Sequence, residues 1–175
     1  MKLFKQTGHF VFILMLAFSG CGYTRKSALP EGVNTIFVET VKNKIDINDV
    51  YAYVPGMEIH ITNELIKRLN VDGNLRVVQD PSQADVILNT QLNKIEQDGV
   101  RFTSLERIEE YRMYFIVSFE LVEAKTKRLI FQEGNFSGDS EYFVGDIRSI
   151  AREEAAERAA VRLAKNMVDR IVEDW

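Results

Sequence analysis

The chain has 175 residues, 46% hydrophobic and 27% charged, a composition that excludes a disordered polymer and fits one globular domain with a short appendage. Its 22 Lys and Arg against 26 Asp and Glu leave a formal charge of -4, which disfavours a strongly basic nucleic-acid binder. A single Cys and two His exclude an intramolecular disulfide and a zinc site of four cysteines or of two cysteines and two histidines.

Residues 1–20 read as a targeting segment. Lys2 and Lys5 precede the apolar run Phe10 to Phe18, which is too short to read first as a spanning helix. The run ends in Phe18-Ser19-Gly20-Cys21, and small residues directly before the only cysteine resemble a bacterial lipobox. That pattern predicts cleavage before Cys21 and lipidation of its thiol; the alternative is an ordinary secretory signal that ends near a cysteine. Removing residues 1–20 loses two lysines and no acid, so the formal charge becomes -6. Acyl chains at Cys21 would anchor the chain durably, since each buried methylene contributes about 0.8 kcal/mol. Gly22, where an Asp favours retention in the inner membrane of proteobacteria, is compatible with the outer membrane.

Residues 21–33 form a polar tether, and 34–175 read as one α/β sandwich domain. Asn34–Val41 is a predicted strand, with Ile36 and Val38 on one face and Phe37 and Val41 on the other. A loop over 42–55 leads to a helix over about 56–70, whose stripe is Ile61, Leu65 and Leu69 with Thr62 and Ile66. Leu75–Gln79 is a short strand. Ala84–Gln97 is a long one, with Val86, Leu88, Thr90 and Leu92 opposite Asn89, Gln91 and Asn93. Glu110–Glu123 alternates most regularly, through Tyr111, Met113, Phe115, Val117, Phe119 and Leu121. Ala124–Lys127 turns the chain into a partner strand over Arg128–Gly138, and a helix closes it over 145–172, with Ala156, Ala160, Leu163, Ala164, Met167 and Ile171 on one side.

One-sided alternation implies an antiparallel sheet with one covered face. The predicted class is therefore α+β: two helices on one face of a four- to five-stranded mixed, largely antiparallel sheet. Its expected core includes Phe37, Leu65, Leu88, Phe115, Phe119, Leu163 and Met167.

Catalytic chemistry is sparse. His60 is the only histidine after residue 20, on the polar side of the first helix with no nucleophile or orienting acid implied by its neighbours. Glu109-Glu110, Glu153-Glu154 and Glu173-Asp174 are adjacent acids, not the opposed carboxylates of a hydrolase. No phosphate-binding glycine loop or nucleophile elbow is present. The reading is a non-enzyme with no catalytic residue, metal or cofactor. Arg101 and Arg107 flank a loop that also carries Phe102 and Leu105, and Lys125, Lys127 and Arg128 mark the next turn. A cation beside an apolar side chain suits a phosphorylated lipid, although turn tips are also charged for solubility.

The order of these features resembles the LptE family of lipopolysaccharide-assembly lipoproteins. The resemblance rests on Cys21-Gly22-Tyr23, Asn34 to Asn43, Ile61-Thr62-Asn63-Glu64-Leu65, Ala84 to Leu88, Tyr111 to Glu123 with the Lys125–Arg128 hairpin, and the Ala-rich closing helix. It implies an outer-membrane, lipid-anchored protein that plugs and helps assemble the LptD β-barrel. It also implies lipopolysaccharide binding, for which Arg101, Lys125, Lys127 and Arg128 are candidates by position. The open alternative is a periplasm-facing lipoprotein scaffold of another envelope secretion or transport complex.

Overall fold

The computed structural model describes residues 29–30, 32–46, 55–144 and 148–172. The signal segment, Cys21, most of the tether, part of the 42–55 loop, the first residues of the closing helix and Glu173-Asp174 lie outside them.

Helix α1, Met57–Asp72, is bounded by Gly56 and Gly73, both left-handed, and the Gly73 N–H closes the last turn on the Leu69 carbonyl at 3.0 Å. It buries Met57, Ile61, Thr62, Leu65 and Leu69, a stripe at helical spacing. Thr62 Oγ1 donates to the Glu58 carbonyl and accepts from the Val41 N–H, so the hydroxyl links the helix to the chain after the first strand.

Among the described residues, six strands form one mixed sheet. They are β1 (Thr35–Val38), β2 (Lys42–Asn43), β3 (Arg76–Val77), β4 (Val86–Phe102), β5 (Ile108–Glu123) and β6 (Leu129–Phe143). The order is β3-β1-β4-β5-β6, with β2 also pairing β4. β1 runs parallel to β3 and β4, β2 runs parallel to β4, and the two long hairpins β4–β5 and β5–β6 are antiparallel. β2 falls in the segment expected to be a loop. Its two residues continue the parallel pairing of β1 along β4 and carry no alternation to betray them.

The closing helix α2, Arg148–Val172, packs on β6 and on α1. Its buried face is Ala155, Ala156, Ala159, Ala160, Leu163, Ala164, Met167, Val168, Ile171 and Val172. The alanines let the helix approach the sheet closely, and at Gly138 the Leu163 backbone leaves no room for a Cβ. Arg158, Arg162 and Arg170, one side of the helix, bind Ser140 and the Glu141 carbonyl, Asp139 and Glu133 along β6. Arg158 and Arg162 stay exposed on the outer side of the helix and still reach β6, so they help fasten the helix to its strand.

The core lies between the helices and the sheet face of Ile36, Val38, Val86, Leu88, Leu92, Phe115, Phe119 and Leu121. Six of the seven expected core residues are buried. Phe37 is the exception: it is half-buried and points to the other face, where its strand partner is Ile87. Val41 does not share its face. The strand ends at Val38, so alternation stops and Val41 turns into the core. β4 and β6 also run past the expected ends at Gln97 and Gly138: β4 continues by pairing with β5, and β6 continues under the closing helix, where Ser140 and Tyr142 are buried.

Thr90 sits on the core face, buried, and its Oγ1 makes no hydrogen bond. An unsatisfied buried hydroxyl costs about 1–3 kcal/mol. Thr90→Val is therefore expected to add about 1 kcal/mol of stability, read as a higher urea midpoint at unchanged slope. A lowered midpoint would mean that the hydroxyl has a partner.

Candidate functional site

Helices cover one sheet face, and the long hairpins project two turns in opposite directions. The β4–β5 turn spans 103–107. Thr103 Oγ1 accepts from the Leu105 and Arg107 N–H groups, both at 3.1 Å, and Glu106 takes a left-handed φ of 59°. Around it Phe102, Leu105 and Phe143 are 56%, 73% and 58% exposed. Arg101 lies among them, 3.2 Å from the largely covered Glu110 carboxylate and with its guanidinium 5.4 Å from the centre of the Phe143 ring. Beside this turn is a cleft of about 570 Å³ lined by Arg107, Ile108, Tyr111, Tyr142, Val144 and Arg152. Tyr111 and Tyr142 stack at 5.7 Å, and the Tyr142 hydroxyl donates to Gln97. Sequence reasoning missed Phe143 as a neighbour of Arg101, and Tyr142 and Arg152 as neighbours of Arg107, because they come from β6 and α2. The only signal was the expected antiparallel pairing of β5 with β6.

The β5–β6 turn carries Lys125, Lys127 and Arg128, all exposed, with Lys127 left-handed at φ 58°. Arg128 pairs with Glu123 at 3.5 Å. A cleft of about 220 Å³ joins Lys125, Arg128 and Ile130 to Pro30, Gly32 and Val33, the chain just before β1. Asp85 ties the two together. Its Oδ2 accepts from the Asn34 and Thr35 N–H groups, both at 3.0 Å, and from Thr35 Oγ1 at 2.8 Å, while its carbonyl accepts from the Ala124 N–H at 2.8 Å.

The four candidate cations thus do not form one site. β5 separates the turns by 16 residues, about 50 Å at roughly 3.3 Å per residue. Arg101 stands at one end with aromatic company, and Lys125, Lys127 and Arg128 stand together at the other. Between them the uncovered face is polar: Asn89 donates to Glu120 at 2.9 Å, and Asn89, Gln91, Ser118, Glu120 and Gln132 line a cleft of about 350 Å³.

The Asn34 N–H, then the Thr35 hydroxyl, hold the Asp85 carboxyl below the usual range against the opposing effect of burial. The folded value is below the unfolded value of about 3.9, so this contribution to stability is complete above that pH and is lost as pH falls through the folded value. Asp85→Asn should lower stability at pH 7 and flatten its decline as pH falls below about 4. Acid denaturation followed by circular dichroism checks this; parallel curves for the two proteins would contradict it.

His60 is half-buried on α1, and its Nε2 makes no hydrogen bond. Among the described residues no three His, Cys, Asp or Glu side chains come together as metal ligands. No described helix is long and apolar enough to cross a membrane.

Solved structures share the fold. The Xanthomonas campestris protein XCC0632 is similar with a TM-score of 0.52 at 10% identity, over 83% of this chain and 90% of that one. The hypothetical protein CT253 of Chlamydia trachomatis is similar at 0.52 and 10%, over 79% and 95%. A minor lipoprotein of Acinetobacter baumannii is similar at 0.50 and 10%, over 79% and 92%. No curated protein matches by sequence. The LptE lipopolysaccharide-assembly family model, however, matches residues 33–175, every described strand and helix included, and the chain belongs to that family.

Proposed function

We propose that this LptE-family protein is anchored in the outer membrane through acylated Cys21, seats in the lumen of an LptD-like β-barrel as plug and assembly aid, and binds lipopolysaccharide. The observation that carries the reading is the family match across residues 33–175. The uncovered polar face of β4 and β5, with Asn89, Gln91 and Glu120, suits a hydrated barrel lumen. Burial of that face would fit the large interfaces of obligate pairs, about 2,000 Å² or more. A lipoprotein of this family works by binding, so no catalytic residue, metal or cofactor enters the account.

Lipopolysaccharide offers phosphates next to acyl chains, and a chain of charge -6 attracts it only where cations gather. Arg101, flanked by exposed Phe102, Leu105 and Phe143, has both halves of that chemistry. Lys125, Lys127 and Arg128 supply charge with less exposed apolar surface. A well-made charge-assisted contact to phosphate contributes about 1.5–3 kcal/mol and is weakened by salt. Replacing all four by Glu should weaken lipopolysaccharide binding by well over tenfold, and Arg101→Glu alone should account for about tenfold of it. Direct binding at two salt concentrations, with circular dichroism as the fold control, is the test. Unchanged affinity in a folded quadruple variant would remove both turns from the lipid role.

A further inference from the structure

The chain that leads from the anchor enters the fold at the end that carries Lys125, Lys127 and Arg128 at its tip, with Asp85 and Glu123 beneath them. Pro30, Gly32 and Val33 share a cleft with Lys125 and Arg128. Asp85 hydrogen-bonds both the first residues of the domain and the base of the turn, so the two cannot drift apart while the domain is folded. Leu29 and Val33 pack against the core, which fixes the exit point of the tether. Seven residues separate Cys21 from Leu29, and the eight steps between them reach at most about 28 Å. The other turn is a further strand length away, about 50 Å.

We propose that Lys125, Lys127 and Arg128 rest on the anionic phospholipid headgroups of the leaflet that holds the Cys21 acyl chains, standing the domain on its tether end with the Arg101–Phe102 turn pointing away. The proposal rests on the reading of Cys21 as the lipidated anchor and adds to it an orientation and a second, electrostatic attachment. Charge favours this pose. Each Lys or Arg within a Debye length of an anionic leaflet strengthens association about fivefold, whereas the rest of an acidic chain is repelled. Arg128 shares its charge with Glu123, but Lys125 and Lys127 have no ion pair among the described residues. The left-handed Lys127 keeps the turn tight, so the three side chains leave it within a few ångströms of backbone.

The test uses the full-length lipidated protein in vesicles. Cys21 is the only cysteine, and acylation blocks it, so Thr126→Cys or Ser104→Cys gives one labelling site at either turn. Energy transfer to a headgroup dye is measured in phosphatidylethanolamine–phosphatidylglycerol vesicles, in phosphatidylcholine vesicles, and in phosphatidylcholine vesicles carrying lipopolysaccharide. Flotation of the same samples reports the anchor independently. Expected is strong transfer from position 126 and weak transfer from 104 with phosphatidylglycerol. The signal at 126 should fall several-fold in phosphatidylcholine, in high salt, or after Lys125, Lys127 and Arg128 are replaced by Glu. Transfer from 104 equal to that from 126, or stronger than it, in floating protein would mean that the domain lies flat or inverted and would overturn the proposal with the anchor intact. A response at 126 to lipopolysaccharide but not to phosphatidylglycerol would also overturn it, giving this turn to the transported lipid. Failure to float would sink the anchor reading and the orientation with it.

Discussion

Phe119→Asp is expected to unfold the domain. Phe119 is buried on the core face of β5 and meets two rings from β6 edge-on, Phe131 at 5.7 Å and Phe136 at 5.3 Å. Truncating such a residue to Ala typically costs about 3–5 kcal/mol. Edge-to-face contacts add about 0.5–1.5 kcal/mol each. An ionised carboxylate in the same place adds a desolvation cost with no partner to offset it. The sum is comparable with the total stability of an ordinary domain, about 5–15 kcal/mol. Near-ultraviolet circular dichroism and thermal melts should show no cooperative transition in the variant. Phe119→Leu, which keeps an apolar side chain there, should still melt cooperatively. A wild-type melt for the Asp variant would mean that the other face of β5 is the buried one.

Gly138→Ala is the second large effect. A Cβ at this position would lie 2.4 Å from the Leu163 backbone nitrogen and 2.5 Å from its Cα. No side chain can rotate to relieve that clash; helix α2 must move as a body. Arg158, Arg162 and Arg170 hold the helix to β6 on either side of the contact, so displacement also strains those bonds. Overpacking of this kind costs about 1–3 kcal/mol and occasionally more. With backbone as the obstacle we expect about 3 kcal/mol, a fall in Tm of roughly 6–12 °C. Gly134, on the same strand, has open space where a methyl group would sit, with nothing within 4 Å, and no positive φ. Gly134→Ala is therefore the matched control, with little effect expected. Equal melting temperatures for the two variants would show that helix and strand are not in such close approach.

Much of this fold is legible from hydrophobic period. The α1 stripe of Ile61, Leu65 and Leu69, the closing helix with Leu163 and Met167, and the alternation from Met113 to Leu121 all mark the covered face. Period reports burial, so it fails where burial ends. β4 and β5 pair on to Phe102 and Ile108 by backbone register, with the Arg101–Glu110 ion pair across it, and a bulge between Leu92 and Lys94 shifts the phase so that Ile95 reaches the core. Phe37 misleads for a different reason. A four-residue strand offers two apolar faces of similar strength, and only the neighbours decide between Ile36 with Val38 and Phe37.

The site was legible as residues but not as an arrangement. Arg101 and Lys125 are close in sequence, yet the segment between them is mostly one extended strand, which carries its ends apart. Strand length alone, multiplied by the rise per residue, predicts that the two groups of cations serve different contacts. The aromatic surroundings of Arg101 needed the pairing of Glu110 with Phe143 across β5 and β6.

Affinity purification of the intact protein from detergent-solubilised envelopes decides whether the protein is a barrel partner. Expected is stoichiometric co-purification of an outer-membrane β-barrel, stable to salt because the contact is a large interface and not a few surface charges. Recovery of a peptidoglycan-bound or inner-membrane complex with no barrel present would contradict the plug reading.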